Sequence, residues 1–182
     1  MERKNFTIGI ICIVIATALV AVLIFFQGDA EKKEKTADNE VKKEQAVGAM
    51  PETNENLPIG GTVTTASGKI VRVRVATTPK QRELGLSYFE SLQNDEGMLF
   101  VFENSGRYPF WMKGMNFPLD IIWLKSAAQG YYGIVHVAKN AQPSSYPDVI
   151  DPKVDADAVL EIPGGLSDSF GIKEGSVLQI QK

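Results

Sequence analysis

Two carboxylic acids stand inside apolar runs, Asp120 in Phe117-Pro118-Leu119-Asp120-Ile121-Ile122-Trp123 and Glu161 in Val159-Leu160-Glu161-Ile162. A carboxylate in such surroundings must accept hydrogen bonds, pair with a cation or reach solvent at a strand end. If the two shared a cleft with separated pKa values, they would form an acid/base pair suited to hydrolysis. The structural alternative has each acid tying down a turn or pairing with Arg82, Arg107 or Lys113. Nothing in the sequence says whether the two are close in space.

The second constellation is aromatic: Tyr108, Phe110, Trp111, Phe117 and Trp123, with Phe100 and Phe102 nearby. Rings of this kind usually fill a core. Trp111 is the exception, because strand alternation sets it with Lys113 and Met115, opposite Phe110 and Met112. A strand with one apolar face and a Trp/Lys face can line a groove. The candidate ligand-binding residues are therefore Arg82, Trp111, Lys113, Asp120 and Glu161. In that groove Trp111 offers stacking area, Lys113 and Arg82 hold an anionic or hydroxyl-rich group, and Asp120 accepts hydrogen bonds, with Glu161 in support.

No residue is assigned a catalytic or metal-binding role, and no cofactor is expected. His136, the only histidine, shares a strand face with Ile134 and Ala138 and reads as a sheet histidine, with no Gly-x-Ser-x-Gly elbow to support a triad. Asp148, Asp151, Asp155 and Asp157 lack the glycine and terminal glutamate of a calcium loop and read as a solvated acidic stretch. Cys12 is the only cysteine, which excludes an intramolecular disulfide and a cysteine-based zinc site.

Composition narrows the class further. The 182 residues are 44% hydrophobic and 23% charged, with a formal net charge of −3. Residues 59–182 hold twelve Lys/Arg against thirteen Asp/Glu, without the basic excess that phosphate neutralisation on nucleic acid requires.

The elements that would position these groups fall into successive segments. Residues 1–5 read as a short cytoplasmic tail carrying Arg3 and Lys4. Residues 6–26, an unbroken apolar run, match the roughly 30 Å hydrocarbon core of a bilayer at 1.5 Å per residue and read as an uncleaved transmembrane anchor. Residues 27–58 alternate Lys and Glu with Ala, Asn and Thr and read as a disordered charged tether. The Lys count after the anchor argues for a cytoplasmic domain, but long C-terminal domains translocate largely regardless of charge. The expectation is a single-pass protein of the cell membrane with its C-terminal domain outside.

Residues 59–182 form the folded part. Thr62–Ala66 and Lys69–Ala76 read as strands around a Ser67-Gly68 turn. Thr78-Pro79-Lys80-Gln81 carries a helix start, and Gly85 ends that helix within two turns. Gly97–Phe102, Phe110–Met115, Leu119–Leu124, Tyr131–Ala138, Ala158–Ile162 and Val177–Ile180 are further strands, and Ala141–Asp157 reads as one long loop. The fold class is mainly β: a single antiparallel sandwich or barrel-like domain with one short helix, its connections judged too short for βαβ crossovers.

In order, Arg82-Glu83-Leu84-Gly85-Leu86, Gly97-Met98-Leu99-Phe100-Val101-Phe102, Phe110-Trp111-Met112-Lys113, Pro118-Leu119-Asp120-Ile121-Ile122 and Val159-Leu160-Glu161-Ile162-Pro163-Gly164-Gly165 resemble the family called domain of unknown function 192. The match spans about residues 62–180. The family's usual Phe-Trp-Met-Lys-Asn-Thr reads Phe110-Trp111-Met112-Lys113-Gly114-Met115 here. The resemblance implies a small, mostly-β prokaryotic domain, often behind a signal peptide or membrane anchor, which favours the outside orientation. No reaction or cofactor comes with it. Its recurring residues map to Arg82, Gly85, Trp111, Met112, Lys113, Pro118, Asp120, Glu161 and Gly165.

The functional expectation is a membrane-anchored extracytoplasmic domain that binds an envelope glycan, small molecule or protein, and no nucleic acid. The alternatives are an envelope hydrolase using Asp120 and Glu161 as acid and base, and a purely structural assembly module.

Overall fold

A computed structural model describes residues 54–182. The 6–26 anchor and most of the 27–58 tether lie outside the described residues, and among the described residues no helix is long and apolar enough to cross a membrane. The domain's contacts begin before Ile59: Asn54 is buried, and its Nδ2 donates to the carbonyls of Gln81 and Gly85, each at 2.8 Å.

In chain order the elements are β1 (Ile59–Thr64), β2 (Ile70–Ala76), α1 (Pro79–Leu84), β3 (Glu96–Gly106), β4 (Phe110–Trp111), β5 (Leu119–Ala128), β6 (Tyr131–Ala141), a 3-10 turn (Pro143–Ser145), β7 (Val149–Ile150), β8 (Ala156–Pro163) and β9 (Val177–Gln181). Seven strands close a barrel in the order β1-β2-β3-β8-β5-β6-β9, with β9 returning to β1, and β4 and β7 form a separate two-stranded ribbon.

The expectation of an antiparallel domain whose connections are too short for crossovers needs one correction. β2 and β3 are parallel, with Val73 opposite Gly97 and Ala76 opposite Phe100. A parallel pair requires the chain to cross back over the sheet. Residues 77–95 do so with a single six-residue helix as their regular element. Thr78 caps it in a reciprocal box: Gln81 N–H donates to Thr78 Oγ1 at 3.2 Å, and Thr78 N–H donates to Gln81 Oε1 at 3.0 Å.

Alternation along the strands divides the apolar residues between two cores. Val63, Val71, Val73, Leu99, Ile122, Leu124, Leu160, Ile162 and Leu178 fill the barrel interior. Met98, Phe100, Ile121, Trp123 and Val159 point out of the same wall and are covered by Leu86, Phe89, Met112 and the partly buried Phe110. β3, β5 and β8 are thus buried on both faces, which is why Gly97–Phe102 and Leu119–Leu124 read as near-continuous apolar runs.

Two of the predicted elements differ in kind from the observed ones, the others only in where they begin or end. The Phe110–Met115 strand is only two residues long, because the chain turns at Gly114, where φ is +69°. The Ala141–Asp157 loop contains the 3-10 turn and β7, which pairs Val149 with Trp111.

Candidate functional site

The outward wall of the barrel and the two excursions packed on it build the site. One excursion is α1 with the loop after it. The other is residues 107–118, which carry β4. Phe110 fixes the second against the wall, meeting Phe100 edge-on at 5.0 Å and Trp123 edge-on at 5.8 Å. Trp123 itself is buried and donates its indole N–H to the Tyr108 carbonyl at 2.7 Å. The excursions are also tied to one another. Ser87 Oγ donates to the Lys113 carbonyl at 2.7 Å, Tyr88 N–H to the Gly114 carbonyl at 3.2 Å, and Asn116 Nδ2 to the Phe89 carbonyl at 2.8 Å.

Between them lies a crevice with three lobes, all bordered by Trp111 and Glu83. The outer lobe, about 360 Å3, is walled by Pro79, Arg82, Phe102, Tyr108, Pro109 and Phe110. The side lobe, about 180 Å3, reaches Tyr88 and Lys113. The third is a notch of about 20 Å3 between Phe100, Phe110 and Met115, and Glu161 lies at its end.

Glu161 pairs with Met98 on one side and Ile121 on the other, in the outward-facing row of the wall. The residue is 4% exposed, and its Oε2 has no hydrogen-bond partner. Burial alone pushes its carboxyl from 4.5 up to about 8. Glu161 is therefore a neutral acid at pH 7, with both donor and acceptor capacity.

Trp111 is 45% exposed, and Lys113 Nζ lies 5.6 Å from the centre of its ring. The sequence-level alternation holds at Trp111: Met112 is buried behind it. The Arg82 guanidinium sits 5.3 Å from the centre of the Phe102 ring, and Nη1 donates to the carbonyls of Val101, at 3.1 Å, and Thr77. Arg82 thus closes one end of the crevice and clamps α1 to β3.

Asp120 does not join this site. It lies on the inward-facing row, opposite Ile162, whereas Glu161 is on the outward row opposite Ile121. Its carboxylate accepts from Asn140 N–H (2.7 Å), Gly165 N–H (2.9 Å), Ser167 N–H (2.8 Å) and Ser167 Oγ (2.6 Å). Burial raises its pKa, but the bonds from Ser167, Gly165 and Asn140 outweigh that and hold the carboxyl below the ordinary value. Asp120 is a fully used anchor for the loop after β8. An acid/base pair of Asp120 and Glu161 has no common cleft in which to act.

Of the five predicted site residues, Arg82, Trp111 and Glu161 meet in the crevice, Lys113 stands at its side lobe, and Asp120 is elsewhere. Sequence reasoning missed Pro79, Glu83, Phe102 and Tyr108 as wall residues. Pro79, Arg82 and Glu83 follow an i, i+3, i+4 spacing, which is one helix face and was readable. The Phe102–Tyr108 stack, at 3.5 Å and 7°, had no local signal.

Of the remaining candidates, His136, Asp151 and Asp157 are engaged in ordinary pairs. His136 Nδ1 lies 2.9 Å from Glu174 Oε1. Asp151 is bound by Arg107 at 2.6 Å and Lys153 at 3.1 Å, and the Arg107 hydrogen bond with help from the Lys153 N–H holds its carboxyl well below the usual range. Asp157 is held by Lys125 at 2.9 Å. Among the described residues no three of His, Cys, Asp and Glu gather where a metal ion would sit.

Residues 62–180 match the family DUF192, described as "Uncharacterized ACR". Similar solved structures include a proposed transcription regulator from Sinorhizobium meliloti 1021. It is 32% identical, with a TM-score of 0.57, over 66% of this chain and 90% of that one. A protein of unknown function from Novosphingobium aromaticivorans DSM 12444 is 29% identical, with a TM-score of 0.59, over 74% of this chain and 94% of that one. No curated protein matches the chain.

Proposed function

The chain belongs to the DUF192 family, and from that premise we propose that it is a binding domain whose site is the crevice around Trp111. One observation carries this reading: a buried carboxylic acid with an unpartnered oxygen ends a notch that opens between aromatic rings. A buried polar group without a partner costs about 1–3 kcal/mol, so a ligand that supplies the partner gains that amount on binding. Trp111 and Phe110 supply the apolar contact area, and Arg82 and Lys113 favour an anionic or hydroxyl-rich ligand at the rim.

Residues 6–26 anchor the domain in the cell membrane, and residues 59–182 lie on the extracytoplasmic side, so the ligand is a component of the envelope. The description of the Sinorhizobium protein as a transcription regulator is not carried over. Twelve basic against thirteen acidic residues after position 58 give no net positive charge to hold phosphates.

The test is a thermal-shift screen of the full chain in nonionic detergent against cell-wall fragments, oligosaccharides, nucleotides, peptides and small organic acids. A ligand at about a hundred times its Kd adds about 2.7 kcal/mol, a shift of several degrees. A hit lost in Trp111→Ala and kept in Asp120→Asn supports the crevice. A hit with the opposite pattern, or a flat screen, refutes it.

A further inference from the structure

We propose that the crevice takes a small carboxylate, its apolar body against Trp111 and Phe110 and one of its oxygens accepting a hydrogen bond from the Glu161 carboxyl, which serves as the donor. This deepens the binding reading above and rests on it.

Size sets the first constraint. A cavity needs about 10–15 Å3 to hold one water, so the notch of about 20 Å3 admits a single oxygen-sized group. The bulk of a ligand must stay in the outer lobe, whose walls are aromatic rings and prolines beside Arg82 and Glu83.

Charge sets the second. Lys80 and Glu83 on α1 form an ion pair at 3.8 Å, and Arg82 beside them and Lys113 beyond β4 add two further positive charges at the crevice. On the wall, the nearest charges in the Glu161 row belong to Arg74 on β2, which packs 5.2 Å over Phe89 and lies 3.7 Å from Glu96 of β3. Apart from Glu161, then, the crevice carries Lys80, Arg82 and Lys113 against Glu83. An incoming ammonium meets that excess unfavourably, and an anion meets it favourably.

Protonation sets the third. With the carboxyl pushed up to about 8, Glu161 carries its proton at neutral pH and can donate it to an oxygen without charge repulsion. A carboxylate placed against it raises its proton affinity further, because two acids sharing one site do not both ionise. Affinity is therefore flat between roughly pH 5, where the free ligand is ionised, and about pH 8. Above that, binding must return a proton to Glu161, and affinity falls by up to about tenfold per pH unit.

The experiment uses the full chain in nonionic detergent and three probes with one body: phenylacetate, 2-phenylethanol and 2-phenylethylamine. Affinities are measured calorimetrically at pH 6.5 and 9.5 for the native chain, Glu161→Gln and Glu161→Leu, with circular dichroism confirming each fold. Phenylacetate is expected to bind best, and to weaken by about tenfold or more at pH 9.5. Glu161→Gln keeps an amide donor, so it should retain binding at pH 6.5 within a few-fold and lose the pH dependence. Glu161→Leu should lose about tenfold or more at both pH values. A native affinity that does not change with pH overturns the proposal, as does a Glu161→Gln variant that still weakens above pH 8. Alcohol or amine binding tighter than the acid, abolished by Trp111→Ala, overturns the carboxylate assignment while leaving the crevice reading intact. No response to any of the three overturns the assignment as well, and the crevice reading is then judged on the wider screen.

Discussion

The buried acid makes a quantitative demand on the stability of the domain. Glu161 has a folded pKa of about 8 against an ordinary value of 4.5. Between those values the folded chain keeps a proton that the unfolded chain has released. Its contribution to stability is therefore complete below pH 4.5 and is lost as the pH rises to about 8. At about 1.4 kcal/mol per unit, the full loss has an upper bound of about 5 kcal/mol. Side-chain relaxation and water entering the notch bring the expected figure to about 2–3 kcal/mol, a large fraction of a typical 5–15 kcal/mol. Glu161→Gln cannot ionise and should escape this loss. Urea unfolding of both full chains in nonionic detergent, at pH 5 and pH 8.5, isolates the effect, because every other titrating group is common to the two and cancels. The variant should be within about 1 kcal/mol of the native chain at pH 5 and clearly more stable at pH 8.5. Equal slopes against pH would refute the claim that the carboxyl is buried without a partner.

Other perturbations separate scaffold from site. Asp120→Asn removes a charged acceptor of four hydrogen bonds and should lower the unfolding free energy by about 2–3 kcal/mol, measured in urea, with no change in ligand affinity. The same carboxylate stabilises above the ordinary carboxylate range and ceases to as acid protonates it, so Asp120→Asn should also flatten the acid limb of the pH–stability curve. Trp111→Ala should cost under about 1 kcal/mol of stability, since the residue is nearly half exposed, while abolishing ligand-induced thermal shifts. Gly165→Ala, at φ +84° with open space around the position, should cost about 1–2 kcal/mol through backbone strain alone, read as a lower unfolding midpoint.

What the sequence disclosed follows from the range of the interactions involved. The cap of α1 is local, with every partner lying within four residues, and Thr78-Pro79-Lys80-Gln81 predicted it correctly. The runs around Met98 and Ile121 announced strands because both faces are buried. The parallel pairing of β2 with β3 was hidden, since 19 intervening residues with a single six-residue helix do not look like a crossover. The roles of the two acids were hidden for a different reason. Their faces depend on the register between β5 and β8, which puts Asp120 opposite Ile162 and Glu161 opposite Ile121. The donors that satisfy Asp120 arrive from 20 to 47 residues away, and nothing in the neighbourhood of Glu161 declares that none will arrive.

The lips of the crevice come from residues 77–95 and 107–118, and neither stretch sends a side chain into the buried barrel interior. The floor, Glu161 of β8 with Phe100 and Phe102 of β3, grows from barrel strands. The domain therefore resembles a socket with exchangeable jaws. Sequence changes in the two excursions can re-cut the opening for another ligand while the interior packing stays as it was. Because Arg82, Gly85, Trp111, Met112 and Lys113 match residues that recur in the family, relatives built on this barrel should keep those and differ in what they admit through the other positions of the two excursions. Transplanting residues 107–118 between two of them is the shortest route to moving a specificity from one to the other.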